Sequence, residues 1–195
     1  MNKYFDFYFD FISPYSYLAY KQIKQIKNQN NIEVVYKPIL LGGLHKLSGI
    51  TPHAFIPAKS KYMIRDCKII AEKFNIPFKF NSNFPINSIF MMRGIYFALK
   101  KKKLIEYIDF FFDAYWKDGL NLSDNKNIEL VLNNISIDIK EFNNFISDDK
   151  IKNRLKEETN IAYNRGIFGA PSFIVNNKLF WGQDRIEFVL KEIKK

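Results

Sequence analysis

Aromatic residues alternate with Asp6 and Asp10 across residues 4–11, a period of two that predicts a strand. The pattern breaks at Ser13-Pro14. Pro14 suits the first turn of a helix, where its missing N–H is harmless, and Ser13 suits the cap before it. Leu18, Ile23 and Ile26 then supply one apolar face of a helix running to about residue 27. Residues 28–31 are polar and read as a turn. Residues 32–41 are β-rich, and Gly42-Gly43 ends them. Strand, helix, strand in this order favours a parallel pair joined by a crossover helix.

Residues 44–155 are helix-like, with little that reads as strand, and Pro52, Pro57, Pro77 and Pro85 divide them. The pattern predicts helices over 59–74, 87–100, 103–116, 126–134, 138–145 and 148–165. Ser147 is placed to cap the last of these and Gly166 to end it. Strand character then returns in residues 170–175 and 178–181, around the hairpin turn signal Asn176-Asn177. A final helix starts near Asp184, whose spacing to Glu187 is that of a capping box. The expected architecture is an α/β, thioredoxin-like fold with a large all-helical insertion. Residues 1–43 and 156–195 make the thioredoxin-like part and 44–155 the insertion.

With 195 residues, 20 of them Phe and 11 Tyr, the chain can bury a core without disulfide staples. Its net charge of +10 suits anionic partners. The basic residues are nonetheless spread along the chain, and the one dense run, 100–103, reads as a solvated helix end. None of the recognition motifs of nucleic-acid modules is present, so nucleic acid is not the expected partner. Cys67 is the single cysteine, and His45 and His53 are the only histidines. That excludes an internal disulfide and a cysteine zinc cluster, and no metal is expected. The first ten residues read as strand rather than leader, and no apolar run approaches ~18 residues. A soluble protein of the reducing cytoplasm, with no membrane partner, is the expectation.

Two junctions carry candidate chemistry. The first is Ser13-Pro14-Tyr15-Ser16, between strand and helix. A helix start presents unpaired N–H groups and the positive end of the dipole, which favours an anion such as a thiolate. Two serines cannot form a disulfide, so dithiol exchange is excluded there. Ser13 can donate a hydrogen bond to a thiolate that a ligand brings, or it can simply cap the helix. The second junction is Gly169-Ala170-Pro171-Ser172, where a proline opens a strand, with a cis or a trans bond.

The stretch Asp10-Phe11-Ile12-Ser13-Pro14-Tyr15-Ser16-Tyr17-Leu18-Ala19 resembles the N-terminal motif of 2-hydroxychromene-2-carboxylate isomerases and kappa-class glutathione transferases, which share a DsbA-like thioredoxin fold. Further matches follow in order. They are Lys37-Pro38-Ile39-Leu40-Leu41-Gly42, then Pro57-Ala58-Lys59 with Tyr62, Met63 and Asp66, then Phe84-Pro85-Ile86-Asn87-Ser88 with Met92-Arg93. Last come residues 166–173 and Trp181-Gly182-Gln183-Asp184-Arg185. They cover the chain except for about 100–150. The resemblance implies glutathione as cofactor, a small-molecule substrate and a homodimer. It makes Ser13 the thiolate-stabilising hydroxyl and Lys59 a glutathione contact. It makes Ala170, before a cis Pro171, the backbone partner of the cysteinyl part. Gln183 and Asp184 would meet the γ-glutamyl end.

Two positions depart from the family pattern. Ile50 stands where the family has an asparagine that contacts glutathione, and Gln183 where a smaller polar residue is more usual. One lost neutral hydrogen bond is worth about 0.5–1.5 kcal/mol, so binding would survive roughly tenfold weaker. Tyr15 is a candidate wall of a substrate pocket or a residue packed on the sheet. Arg93, with Asn87, is a candidate for a substrate carboxylate or an ordinary helix-surface residue. Cys67 reads as a small core residue.

The leading functional expectation is a glutathione-dependent cis-trans isomerase. In it a thiolate adds reversibly to an aromatic pyruvate adduct. The alternatives are a kappa-like transferase that conjugates electrophiles and a non-catalytic peptide-binding module built on the proline edge.

Overall fold

Four strands make one mixed sheet in the order β2-β1-β3-β4, with β1 at Tyr4–Phe9, β2 at Glu33–Pro38, β3 at Ser172–Val175 and β4 at Lys178–Trp181. The structure is a computed structural model and describes residues 3–30 and 32–195. β1 and β2 run parallel, from Tyr4 opposite Glu33 to Phe9 opposite Pro38. The crossover between them is α1 (Pro14–Asn30). β3 lies antiparallel to β1, with Tyr8 opposite Ser172. Asn176 and Asn177, at φ 48° and 60°, form the left-handed turn that starts β4.

The period of two in β1 sorts its side chains onto two faces. Phe5, Phe7 and Phe9 join the main core, whereas Tyr8 packs with Ile39, Leu44, Ala162, Ile167 and Ile174. Between the strand pairs come α2 (Leu41–Leu47), a 3-10 turn at His53–Phe55, α3 (Pro57–Lys73), α4 (Ile89–Lys100), α5 (Leu104–Trp116), α6 (Asn125–Asn134), α7 (Ile139–Ile146) and α8 (Asp149–Asn164). A second 3-10 turn, Gln183–Arg185, leads into α9 (Ile186–Ile193). α5 joins the helical part to the sheet. Phe112 meets the rings of Phe9, Phe11 and Tyr20, and Trp116 Nε1 donates to the Phe11 carbonyl at 2.7 Å. α8 spans both parts: Leu155 sits in the main core, while Ala162 packs beneath the opposite sheet face.

Several boundaries differ from the sequence pattern. α1 continues through Asn30, so residues 28–30 are helix rather than turn, and Asn31 lies outside the described residues, as do Met1 and Asn2. β2 stops at Pro38, and Gly42-Gly43 falls in the first turn of α2 instead of ending a strand. The cause is local competition for donors. The Leu40 N–H goes to Thr159 Oγ1 at 3.0 Å and the Leu41 N–H to Asp10 Oδ2 at 2.8 Å, so neither extends a ladder. Ser147 closes α7, its hydroxyl donating to the Asn143 carbonyl at 2.7 Å. α8 is capped by Asp148, a charged acceptor, which takes the Lys150 N–H at 2.7 Å. No capping box forms at Asp184. Gly182, at φ +114°, opens a 3-10 turn, α9 begins only at Ile186, and Asp184 pairs with Arg185 at 2.6 Å.

Candidate active site

Four residues, Asp10 to Ser13, link the end of β1 to the start of α1. Ser13 is 3% exposed. Its oxygen accepts the Ser16 N–H at 3.1 Å, and its carbonyl accepts the Tyr17 N–H at 3.1 Å, so it caps α1. The same hydroxyl donates to the Ala170 carbonyl at 3.1 Å. Capping and chemistry are therefore not alternatives: a lone pair holds the helix while the proton faces the second junction. Pro14 has no N–H, which leaves the Tyr15 N–H as the first-turn donor that no protein acceptor takes among the described residues. No acidic side chain sits in the first turn of α1, so the positive helix end is not neutralised locally.

The bond before Pro171 is cis, as is the one before Pro85. The β1–β3 ladder begins at Ser172, so Ala170 stands just beyond it. Its carbonyl takes the Ser13 proton, and its N–H has no protein acceptor among the described residues. The segment around it is tied down: Ser172 Oγ donates to the Gly169 carbonyl at 2.7 Å and the Gly182 N–H to the Pro171 carbonyl at 3.0 Å. A Cβ on Gly169 would lie 2.5 Å from Trp181 Nε1, so the indole packs directly over the bare backbone there.

Beneath Ser13 lies a residue that the sequence placed in a strand and at the head of the family motif, with no role at the site. Asp10 is fully buried. Its Oδ1 accepts the Ile12 N–H at 3.1 Å and its Oδ2 the Leu41 N–H, and Ser88, which precedes α4, bonds to it as well. Its carbonyl accepts the Ser13 N–H at 3.0 Å. Burial pushes the carboxyl up to about 6, against the opposing pull of these donors. One carboxylate thus fixes the Ser13 loop to the starts of α2 and α4. The available signal was an acid enclosed by Phe9 and Phe11 just ahead of Ser-Pro.

The other candidates are placed unequally around this centre. The Tyr15 hydroxyl donates to Asp66 Oδ2 at 2.9 Å and holds α3 beside α1; burial raises its pKa and keeps it protonated. Gln183 accepts from Gln22 Nε2 at 3.1 Å, which joins the second 3-10 turn to α1. Asp184 is exposed beside Arg185. Lys59 is exposed in the first turn of α3, and no hydrogen bond or ion pair among the described residues joins it to Ser13 or Asp184. Ile50 points no polar group anywhere, and its N–H goes to the His45 carbonyl at 2.9 Å. Burial, together with nearby His53, lowers the His45 pKa. Cys67 is buried, and burial pushes its thiol well above the usual range. Asn87 and Arg93 do come together, but elsewhere. They line a cavity of about 500 Å³ with residues of α4, α6 and α7 and the loop before α6, and neither Ser13, Lys59, Ala170 nor Asp184 lines it.

Ser13 opposed to a cis-proline edge is the arrangement expected of the thioredoxin superfamily, and the whole sequence agrees. The DsbA-like thioredoxin domain matches residues 5–194. The chain belongs to that family. Within the DsbA-like family it is 31% identical over 183 residues to a 2-hydroxychromene-2-carboxylate isomerase of Pseudomonas sp. (strain C18), covering 93% of this chain and 85% of that protein. It is 23% identical over 198 residues to kappa 1 glutathione S-transferase of Rattus norvegicus, covering 94% of this chain and 88% of that one. A solved 2-hydroxychromene-2-carboxylate isomerase superposes with a TM-score of 0.89 at 27% identity, over 98% of this chain and 94% of its own. The expected fold and family are both borne out. As a DsbA-like protein with these relatives, the chain is an enzyme of the isomerase or transferase type. No helix among its described residues is long and apolar enough to cross a membrane, and no cluster of metal-binding side chains occurs among them.

Proposed function

We propose that the protein is a glutathione-dependent isomerase acting on a 2-hydroxychromene-2-carboxylate-like aromatic substrate. The observation that carries this reading is the pairing of Ser13 with Ala170: a hydroxyl, a carbonyl and an untaken N–H side by side at a positive helix end. That donor set fits a cysteinyl thiolate with its own peptide group. Bound glutathione supplies a nucleophile that adds reversibly to a conjugated carbon, so that a double bond rotates as a single bond. The chain's part is binding and charge control. Ala170 N–H and C=O pair with an extended backbone. The Ser13 proton turns from the Ala170 carbonyl to the sulfur, and the carbonyl it leaves takes the incoming N–H. The Ser13 hydroxyl and the helix end then hold the thiol deprotonated near neutral pH. Asp184 accepts the ligand ammonium by giving up Arg185, an exposed pair worth about 0–1 kcal/mol. Lys59 and Gln183 lie on the two elements flanking α1 and complete the hold.

The test is calorimetric titration of glutathione into the wild type and Ser13→Ala, with the bound thiol pKa read from thiolate absorbance. Saturable binding is expected. A hydrogen bond to a charged acceptor is worth about 1.5–3 kcal/mol, so Ser13→Ala should raise the bound thiol pKa by about one to two units. No binding at millimolar glutathione would overturn the proposal. Incubation with a 2-hydroxychromene-2-carboxylate then separates the two outcomes of one site. Isomerisation leaves free glutathione undiminished, whereas transfer consumes it.

A further inference from the structure

We propose that the cavity between α4, α6 and α7 binds a small carboxylate with an apolar body, at a site separate from the Ser13 helix terminus. Arg93 is the centre of the argument. Its Nε is buried with no hydrogen-bond partner, and no carboxylate lines the cavity. Of the other four arginines, Arg165 pairs with Asp6, Arg185 with Asp184 and Arg154 stacks on Tyr96, while Arg65 is exposed to water. A buried N–H without an acceptor is costly, and an incoming carboxylate that reaches the Arg93 Nε satisfies it.

The walls define the anion. Leu122 and Ile128 are buried, and Ile89 and Phe90 are partly so, which gives an apolar floor. Asn125 and Asn143 stand on the polar rim. One guanidinium fork matches a carboxylate in two parallel bonds, and no second cation lines the cavity to favour a phosphate. The volume of about 500 Å³ is that of a small-molecule site.

The geometry of α4 sets this site apart from the catalytic one. Met92 faces the Ser13 loop, its sulfur accepting the Phe11 N–H at 3.4 Å, and Ser88 faces Asp10. Arg93, one residue past Met92, is turned about 100° around the helix, toward α6 and α7. α4 therefore has a different binding surface on each side. This site does not depend on glutathione being the ligand at Ser13.

The experiment is titration of benzoate into the whole chain by calorimetry, with benzyl alcohol as the neutral counterpart and inorganic phosphate as the compact anion. Benzoate should saturate one site and bind at least tenfold tighter than either control. Arg93→Gln should weaken it at least tenfold while Ser13→Ala and saturating glutathione leave it unchanged. Ser123→Trp, on the exposed rim, should block it without touching the core and decides the matter should Arg93→Gln fail to fold. Absence of saturation at millimolar benzoate overturns the proposal. So does binding that survives both Arg93→Gln and Ser123→Trp. Displacement by glutathione would assign the carboxylate to the Ser13 site and overturn the separate one.

Discussion

Ser13 and Asp10 show how far single residues could be read in advance. Ser13 and Ala170 were legible because each sits at a junction between elements, where Ser-Pro and Ala-Pro leave few conformations. The hydrogen bond between them was not legible, since it joins positions remote in sequence. The anchoring role of Asp10 was hidden for the same reason: its partners Leu41 and Ser88 are brought to it only by the fold. Its energetics give a prediction with a definite sign. The carboxyl titrates ordinarily at 3.8 and in the folded protein at about 6, so the native state holds the proton more tightly. The stability it contributes is fully present below about pH 4 and is lost as pH rises through 6, by about 3 kcal/mol in all. Urea unfolding of wild type and Asp10→Asn across this range measures the effect. The wild type should gain on the variant as pH falls from 7 to 4, and a constant difference would remove Asp10 as the cause.

At the scale of elements, the sequence pattern placed the strands and most helices because each carries its own period. It erred at ends, where caps compete. Ser147 and Asp148 are adjacent potential caps, and the carboxylate took the helix start while the hydroxyl closed the helix before it. Gly42-Gly43 looked like a strand stop, but the N–H groups just before it were already claimed by Thr159 and Asp10. Packing between helices leaves no trace in periodicity, and Gly94 is the clearest case. A Cβ on Gly94 of α4 would lie 2.1 Å from the Tyr107 hydroxyl of α5 and 2.6 Å from the Phe142 ring of α7. The tyrosine cannot retreat freely, because its hydroxyl donates to the Met91 carbonyl at 3.0 Å. Gly94→Ala should therefore destabilise by about 1–3 kcal/mol in spite of alanine's better helix propensity. A thermal melt that rose would contradict this packing.

Across the whole molecule, the order of elements was readable and the unity of the core was not. Sequence pattern divides the chain into a thioredoxin-like part and an insertion, yet Phe9, Phe11, Phe112 and Trp116 belong to one buried set that crosses that division. Helix content by circular dichroism and the fluorescence of buried Trp116 should accordingly be lost in a single coincident urea transition. Two separated midpoints would show that the parts unfold independently. The charge of +10 suits anions, and the two proposed sites would direct it to small ones. The burial of Cys67 has a practical sequel. The protein's lone sulfhydryl is both protonated and buried, so it adds no thiolate absorbance of its own to the protein's constant background and is shielded from alkylating reagents. Any sulfur signal that develops during a titration belongs to the ligand, and it can be followed in the unmodified wild type.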